Sequence, residues 1–471
     1  MGAQLSGHLA NAGIESYLFD MNLELAEQGK ESLTSLKPAP LYKPKNGDLV
    51  TPCTYESDIE KISDADWVLE AVAERLDIKE TLFQDLLPYL KDTAILTSNT
   101  SGIPLSKLAQ DLPEGVKERF MITHFFNPPR YMQLLELVRG EHTSDDTYSA
   151  MIEFGESVLG KGIVHAKDTP NFIGNRIGIY GLMATVNLAI EKGLTVEQVD
   201  TLTGTISGRP KSATFRTADV VGLDTLKNVA LTTYNLAKGD EERDMFQIPE
   251  ILETLIKSNR LGQKTKVGFY RKNEDRSIDS VDLKTGEYSR QKKVRFDCFR
   301  VAKDHQKLVE KLKALVYGDD NGAMYLWEVT AKTLIYSANR IPEISNDIVN
   351  VDNAMKWGFA WELGPFEGWD AIGVRRSVDR MTSEGKKVPA WVTEMLETGR
   401  ETFYRIENGE RTYWDPIDNG PVVMKQHPKS LNLAIHKSAG NTLKRDISAS
   451  VNDIGDGILN VEFHSILQPA L

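Results

Sequence analysis

Between Met1 and about Ala166, short apolar runs rich in β-forming residues alternate with helical stretches. That alternation restricts the first third of the chain to α/β construction around a parallel sheet. "ESYLFD" (15–20), "DADWVLEAV" (64–72), "DTAILTSN" (92–99) and "RFMITHFFNPP" (119–129) read as successive strands, followed by "MQLLELV" (132–138) and "KGIVHA" (161–166). Beyond Asp168 the pattern becomes helical. "DTPNFIGNRIGIYGLMATVNLAIEKG" predicts a helix that begins at Pro170 and ends at Gly193, and "TVEQ" (195–198) predicts a capping box.

A repeat organises the helical part. Val199-Asp200, Phe215, Asp219 and Gly222 recur in order as Val351-Asp352, Phe366, Asp370 and Gly373, which points to a duplicated helical domain. "VDLKTGEYSRQ" (281–291) lies between the copies as a hairpin or loop excursion, and a second hairpin is signalled by the Gly-Asp-Gly turn near the end. The expected domains are therefore 1–167 (α/β, Rossmann-type), 168–270 (first helical domain), 271–300 (linker and hairpin), 301–420 (second helical domain) and 421–471 (linker and a further hairpin).

Composition narrows the function. A net charge of −12 from 56 basic and 68 acidic residues offers no general attraction to nucleic acid or anionic membranes. Two cysteines, Cys53 and Cys298, form neither a disulfide framework nor a metal-site spacing. With no apolar run long enough to span a bilayer and no secretory signal pattern, a cytoplasmic protein is expected.

The opening "MGAQLSGHLANAG" reads as a tightly packed helix. Gly2 then corresponds to the last glycine of a G-x-G-x-x-G phosphate turn whose first strand and first glycines lie outside this sequence. Asp20 closes the next strand, where a carboxylate accepts from a ribose hydroxyl and repels a 2′-phosphate, favouring NAD over NADP. A glycine-rich helix and a surface aspartate are the bland alternative. "SNTSGIP" (98–104) sits at a strand's C-terminal end, where open α/β sheets bind ligands, although an ordinary turn with a helix cap gives the same string. His124 ends an apolar strand. Glu136 interrupts the next one, a costly place for a carboxylate unless it is partnered. Together they suggest a general base and the acid that orients it, whereas His124 alone reads as structural.

"SNTS", "HFFNPP", "LLELV" and "KDTPNFIGNR", in this order, resemble the signature of the L-3-hydroxyacyl-CoA dehydrogenase family of fatty acid β-oxidation, and "FRTADVVGLD" is similar to its C-terminal signature. The resemblance implies His124 as catalytic base, Glu136 as its partner, and Ser101 and Asn175 on the substrate's oxygens. It also implies Asp20, Glu74, Lys79, Asn99 and Gly2 around NAD, with an acyl-CoA as substrate. The two helical copies are similar to the fused dehydrogenase/enoyl-CoA hydratase enzymes, in which the second copy stands in for a partner subunit; a homodimer stays open. "GRPKSATF" and "ELGPF" differ in how they approach the shared Phe, and no catalytic duty is expected of Phe366 or Asp370. "IGDGILNVEFHS" resembles the opening hairpin of the crotonase fold, so a chain shortened at both ends is expected. Two other readings remain: another hydroxy-acid dehydrogenase of the same fold, and a silent binding or scaffolding chain.

Overall fold

The computed structural model describes residues 1–407, 410–425 and 431–464. Helix α1 (Gly2–Asn11) leads into β1 (Ser16–Asp20), and α2 (Leu23–Ser35) follows, capped by the Asn22 side chain, which accepts from Leu25 N. β1 pairs in parallel with β2 (Val50–Thr54), a strand that the apolar pattern missed because Pro52 interrupts it. β3 (Trp67–Glu70), β4 (Ile95–Ser98), β5 (Phe120–Phe125), β6 (Leu134–Arg139) and β7 (Gly162–Ala166) form a second sheet in that order. Helix α3 (Leu76–Leu86) joins β3 to β4.

That sheet is not all parallel, which corrects the expectation. β3, β4 and β5 run together, but β6 reverses against β5, and β7 follows β6. The connection from Phe126 to Gln133 is too short for a parallel crossover, so the chain turns back on itself. The reversal places His124 directly opposite Glu136.

The helical part is built around α4 (Gly174–Lys192), closed by Gly193 in the left-handed conformation. It starts at Gly174 and not at Pro170, because Asn171 and Phe172 adopt positive φ (63° and 51°) and bend the chain first. α5 (Val196–Leu202) carries the expected capping box of Thr195 and Gln198, and α6 (Phe215–Val221) and α7 (Leu223–Leu236) follow. Three short strands, β8 (Tyr270–Lys272), β9 (Ile278–Val281) and β10 (Tyr288–Arg290), make the small antiparallel sheet of which the expected hairpin is part.

The second helical repeat comprises α8 (Leu308–Val316), α9 (Asn321–Asn339), α10 (Ile348–Gly358), α11 (Pro365–Ile372) and α12 (Val374–Ser383). The two copies share a specific device. Asp200 accepts from Phe215 N (2.7 Å) and Tyr270 Oη (2.7 Å), and Asp352 accepts from Phe366 N (2.8 Å) and Tyr404 Oη (2.7 Å). Asp219 accepts from Phe269 N and Tyr270 N, as Asp370 does from Phe403 N and Tyr404 N. Each pair of aspartates ties a helix start to the strand that follows it.

The copies pack through α4 and α9, which run antiparallel. Tyr336 stacks on Tyr180 with ring centroids 3.6 Å apart, while Tyr325 Oη donates to Thr185 O further along. Arg176 is enclosed there, donating to Tyr336 Oη, Asp240 and Glu343. A Cβ on Gly178 would lie 2.1 Å from the Phe359 ring, so only glycine admits that ring against α4. Toward the end, an unanticipated β11 (Thr442–Arg445) pairs with β12 (Ala449–Asp453), which forms the expected hairpin with β13 (Leu459–Phe463). Ser465, the last residue of the quoted tail, and residues 466–471 after it lie outside the described residues.

Among the described residues no helix is long and apolar enough to cross a membrane, and none of the His, Cys, Asp and Glu groupings could hold a metal. Both cysteines are buried and unpaired.

Candidate active site

His124 is 5% exposed and Glu136 fully buried. His124 Nδ1 lies 2.6 Å from Glu136 Oε2. The other carboxylate oxygen, Oε1, accepts from Ile173 N (3.0 Å) and Gly174 N (2.8 Å), the amides exposed by the bend at Asn171 and Phe172. Three donors thus satisfy a carboxylate that would otherwise be costly to bury. With Nδ1 turned to the carboxylate, Nε2 is left as the nitrogen able to take a proton. Phe126 and Phe172 flank the imidazole at 4.8 and 5.5 Å between ring centroids. Gly174 is required by packing: a Cβ there would meet Phe126 Cζ at 2.8 Å and Leu134 Cδ2 at 3.3 Å. Asn175, half-buried, is the next residue on this first turn of α4.

A second cluster is centred on Glu74. Its Oε1 accepts from Thr100 Oγ1, Ser101 N, Gly102 N and, at 3.3 Å, Ser101 Oγ. Burial alone would raise this carboxyl, but Lys79 and those donors outweigh it and hold the pKa below the ordinary value. Lys79 is 1% exposed; its ammonium pairs with Glu70 at 2.7 Å and Glu74 at 3.4 Å, so it braces the cluster from inside. Asn99 Oδ1 accepts from Phe125 N, linking this loop to the strand that carries His124. Gly102 closes the gap to the helical part, where a Cβ would meet Thr232 Cγ2 at 2.7 Å.

Asp20 and Gly2 make a third group. The first bond inside α1 runs from Leu5 N to Met1 O, so the amides of Gly2, Ala3 and Gln4 have no partner in the helix and suit an anionic group. Asp20 stands at the C-terminal end of β1, where a carboxylate suits ribose hydroxyls. These donors and this acceptor fit the diphosphate and ribose of a dinucleotide. A Cβ on Gly2 would meet nothing nearer than 3.9 Å, so packing does not demand glycine there; Gly7, whose Cβ would come within 2.8 Å of Leu33 Cδ2, is the tighter position.

Three residues of the site escaped the sequence reading. Glu70 accepts from Lys79, Val72 N and Ser98 Oγ. Asn171 donates to Val229 O and Thr233 Oγ1, anchoring the bend against α7. Asp168 caps the helix after "SNTSGIP" by accepting from Leu105 N and Ser106 N. For Glu70 and Asp168 the signal was a carboxylate at a strand end or in a loop, but their partners are remote in sequence.

The family model of the 3-hydroxyacyl-CoA dehydrogenase NAD binding domain matches residues 1–169, and that of the C-terminal domain of the same enzymes matches residues 172–272. A probable 3-hydroxyacyl-CoA dehydrogenase of Bacillus subtilis is 42% identical over 99% of this chain, which spans 61% of that relative's length. One from Deinococcus radiodurans is 40% identical over 58% of this chain and 81% of its own length. Among solved structures, 3-hydroxybutyryl-CoA dehydrogenase from Escherichia coli K12 shares the fold, with a TM-score of 0.62 at 20% identity, over 85% of this chain and 97% of its own. The chain belongs to the 3-hydroxyacyl-CoA dehydrogenase family, with an NAD-binding domain of Rossmann type followed by a helical C-terminal domain.

Proposed function

We propose that this chain carries out the NAD-dependent oxidation of (S)-3-hydroxyacyl-CoA to 3-ketoacyl-CoA, a step of fatty acid β-oxidation. The observation that carries the reading is the buried His124–Glu136 pair with both carboxylate oxygens occupied. Bound NAD supplies the hydride acceptor. His124 removes the substrate's hydroxyl proton at Nε2, and Glu136 stabilises the imidazolium that results and fixes its tautomer. Asn175, beside the amides that hold Glu136, and Ser101, on the loop organised by Glu74, bind the substrate's oxygens. Asp20 takes the adenosine ribose, Gly2 and the following amides face the diphosphate, and Asn99, Glu74 and Lys79 shape the wall toward the nicotinamide end. Phe126 and Phe172 keep water from the imidazole.

The test measures NADH consumption with acetoacetyl-CoA and, separately, with free acetoacetate. Turnover confined to the thioester is expected. Turnover with the free acid and none with the thioester would assign the chain to another hydroxy-acid chemistry.

A further inference from the structure

A cavity of about 80 Å³ lies between the two helical repeats, away from His124. Its walls come from the loop after α5, from α8, α9 and α11, and from the segment before α11; residues 1–169 contribute nothing to it. Leu315, Leu326, Val329 and Leu334 make it largely apolar. On a measure where one water needs ~10–15 Å³, the space holds roughly five to eight groups the size of a methylene.

One cation lines this apolar space. Arg209 is half-buried, and its guanidinium carbon sits 3.8 Å from the centroid of the Trp361 ring. Among the described residues no carboxylate pairs with it. The neighbouring charges of the repeat interface are committed elsewhere: Arg176 and Arg340 share Asp240 and Glu343. A partly desolvated guanidinium stacked on an indole retains donors for a carboxylate, and bidentate pairing there is strong because the surroundings are apolar.

We propose that this cavity is a binding site for a medium-chain fatty acid anion, with the alkyl chain among the leucines and the carboxylate on Arg209. An apolar slot ending in one unpaired cation matches an amphiphile of about eight carbons better than a bare anion, which would leave the walls unfilled, or a bare alkane, which would leave Arg209 unpaired. The site shares no residue with the His124 pocket, so it stands whether or not that pocket oxidises an acyl-CoA.

Octanoate binding to the full chain is measured by titration calorimetry, with octanol and inorganic phosphate alongside. Tryptophan quenching by 2-bromooctanoate, whose bromine lies beside the carboxylate and hence beside Trp361, reports the location. Saturable binding of one octanoate per chain is expected. R209Q should weaken octanoate by at least tenfold while leaving octanol unchanged, V329W should abolish both, and W361F should remove most of the quenching. H124A should bind octanoate as the parent does. The proposal is overturned if octanoate does not saturate, if phosphate binds equally well, or if V329W binds like the parent. It is also overturned if acetoacetyl-CoA displaces octanoate competitively, which would put the ligand in the His124 pocket. Because quenching and its loss in W361F are read on chains that keep the cavity, a V329W chain that fails to fold leaves the proposal exposed to refutation.

Discussion

Glu136 is held at both oxygens, and the two bonds at Oε1 come from backbone amides that no side-chain substitution removes. An amide at this position has one oxygen for three donors. Glu136→Gln is therefore expected to fold, to keep NADH affinity, and to lower kcat by about 10²–10⁴, the range that separates correct from incorrect general-base chemistry; steady-state kinetics beside a nucleotide titration separates the two effects. Gly174→Ala pushes a methyl into Phe126 and Leu134. It should cost about 1–3 kcal/mol in thermal stability and shift the imidazole enough to cut turnover at least tenfold, both measurable on one preparation. His124 and Glu136 were legible because a histidine at a strand end and a carboxylate inside an apolar run are each unusual, and each explains the other. Glu70 and Asn171 were not legible, since their partners Lys79, Val229 and Thr233 become neighbours only when the chain folds.

Elements are fastened by the paired aspartates. Asp219 and Asp370 each satisfy two backbone amides at the start of a strand. Replacing either by Ala is expected to cost roughly 2–4 kcal/mol, because buried donors are left unsatisfied, and urea unfolding should show similar losses for the two copies. Burial raises the Asp219 carboxyl to about 6 and that of Asp370 to about 7, against an unfolded value near ~3.9. Their contribution is thus fully present below about pH 4, where both states are protonated. It is lost as pH rises toward 6 and 7, because the unfolded chain releases its proton first. Asp370→Asn should flatten the decline of the urea midpoint between pH 4 and 7; an unchanged slope would show that Asp370 is ionised throughout. This device was visible in sequence as a repeated Asp and Phe pattern, although Tyr270 and Tyr404, which close it, were not. The reversal of β6 was hidden as well. Its strand residues are as apolar as those of a parallel strand, and only the length of the preceding turn separates the two directions.

Across the whole molecule, the second repeat covers one face of α4, the helix whose first turn holds Glu136. Arg176 is the centre of that contact, fully enclosed with Asp240 and Tyr336. Arg176→Leu leaves Arg340, at 3.5 Å, as the one cation still paired with Asp240 among the described residues, and is expected to cost about 3–5 kcal/mol, read as a lowered Tm. Gly178 under Phe359, and Phe359 against Phe126, carry the contact on toward the imidazole. The duplication was readable from sequence; that it lies so near the His124 pocket was not, because small residues on α4 read the same whether a partner subunit or the same chain covers them.

The central claim is that His124, oriented by Glu136, takes the proton from a 3-hydroxyacyl thioester as NAD is reduced. Its most direct test is the single-turnover rate of (S)-3-hydroxybutyryl-CoA oxidation by the parent and by His124→Asn, with NAD affinity measured on both. A rate reduced by about 10²–10⁴ at unchanged NAD affinity is predicted. A His124→Asn chain that turns over at close to the parent rate would contradict the account.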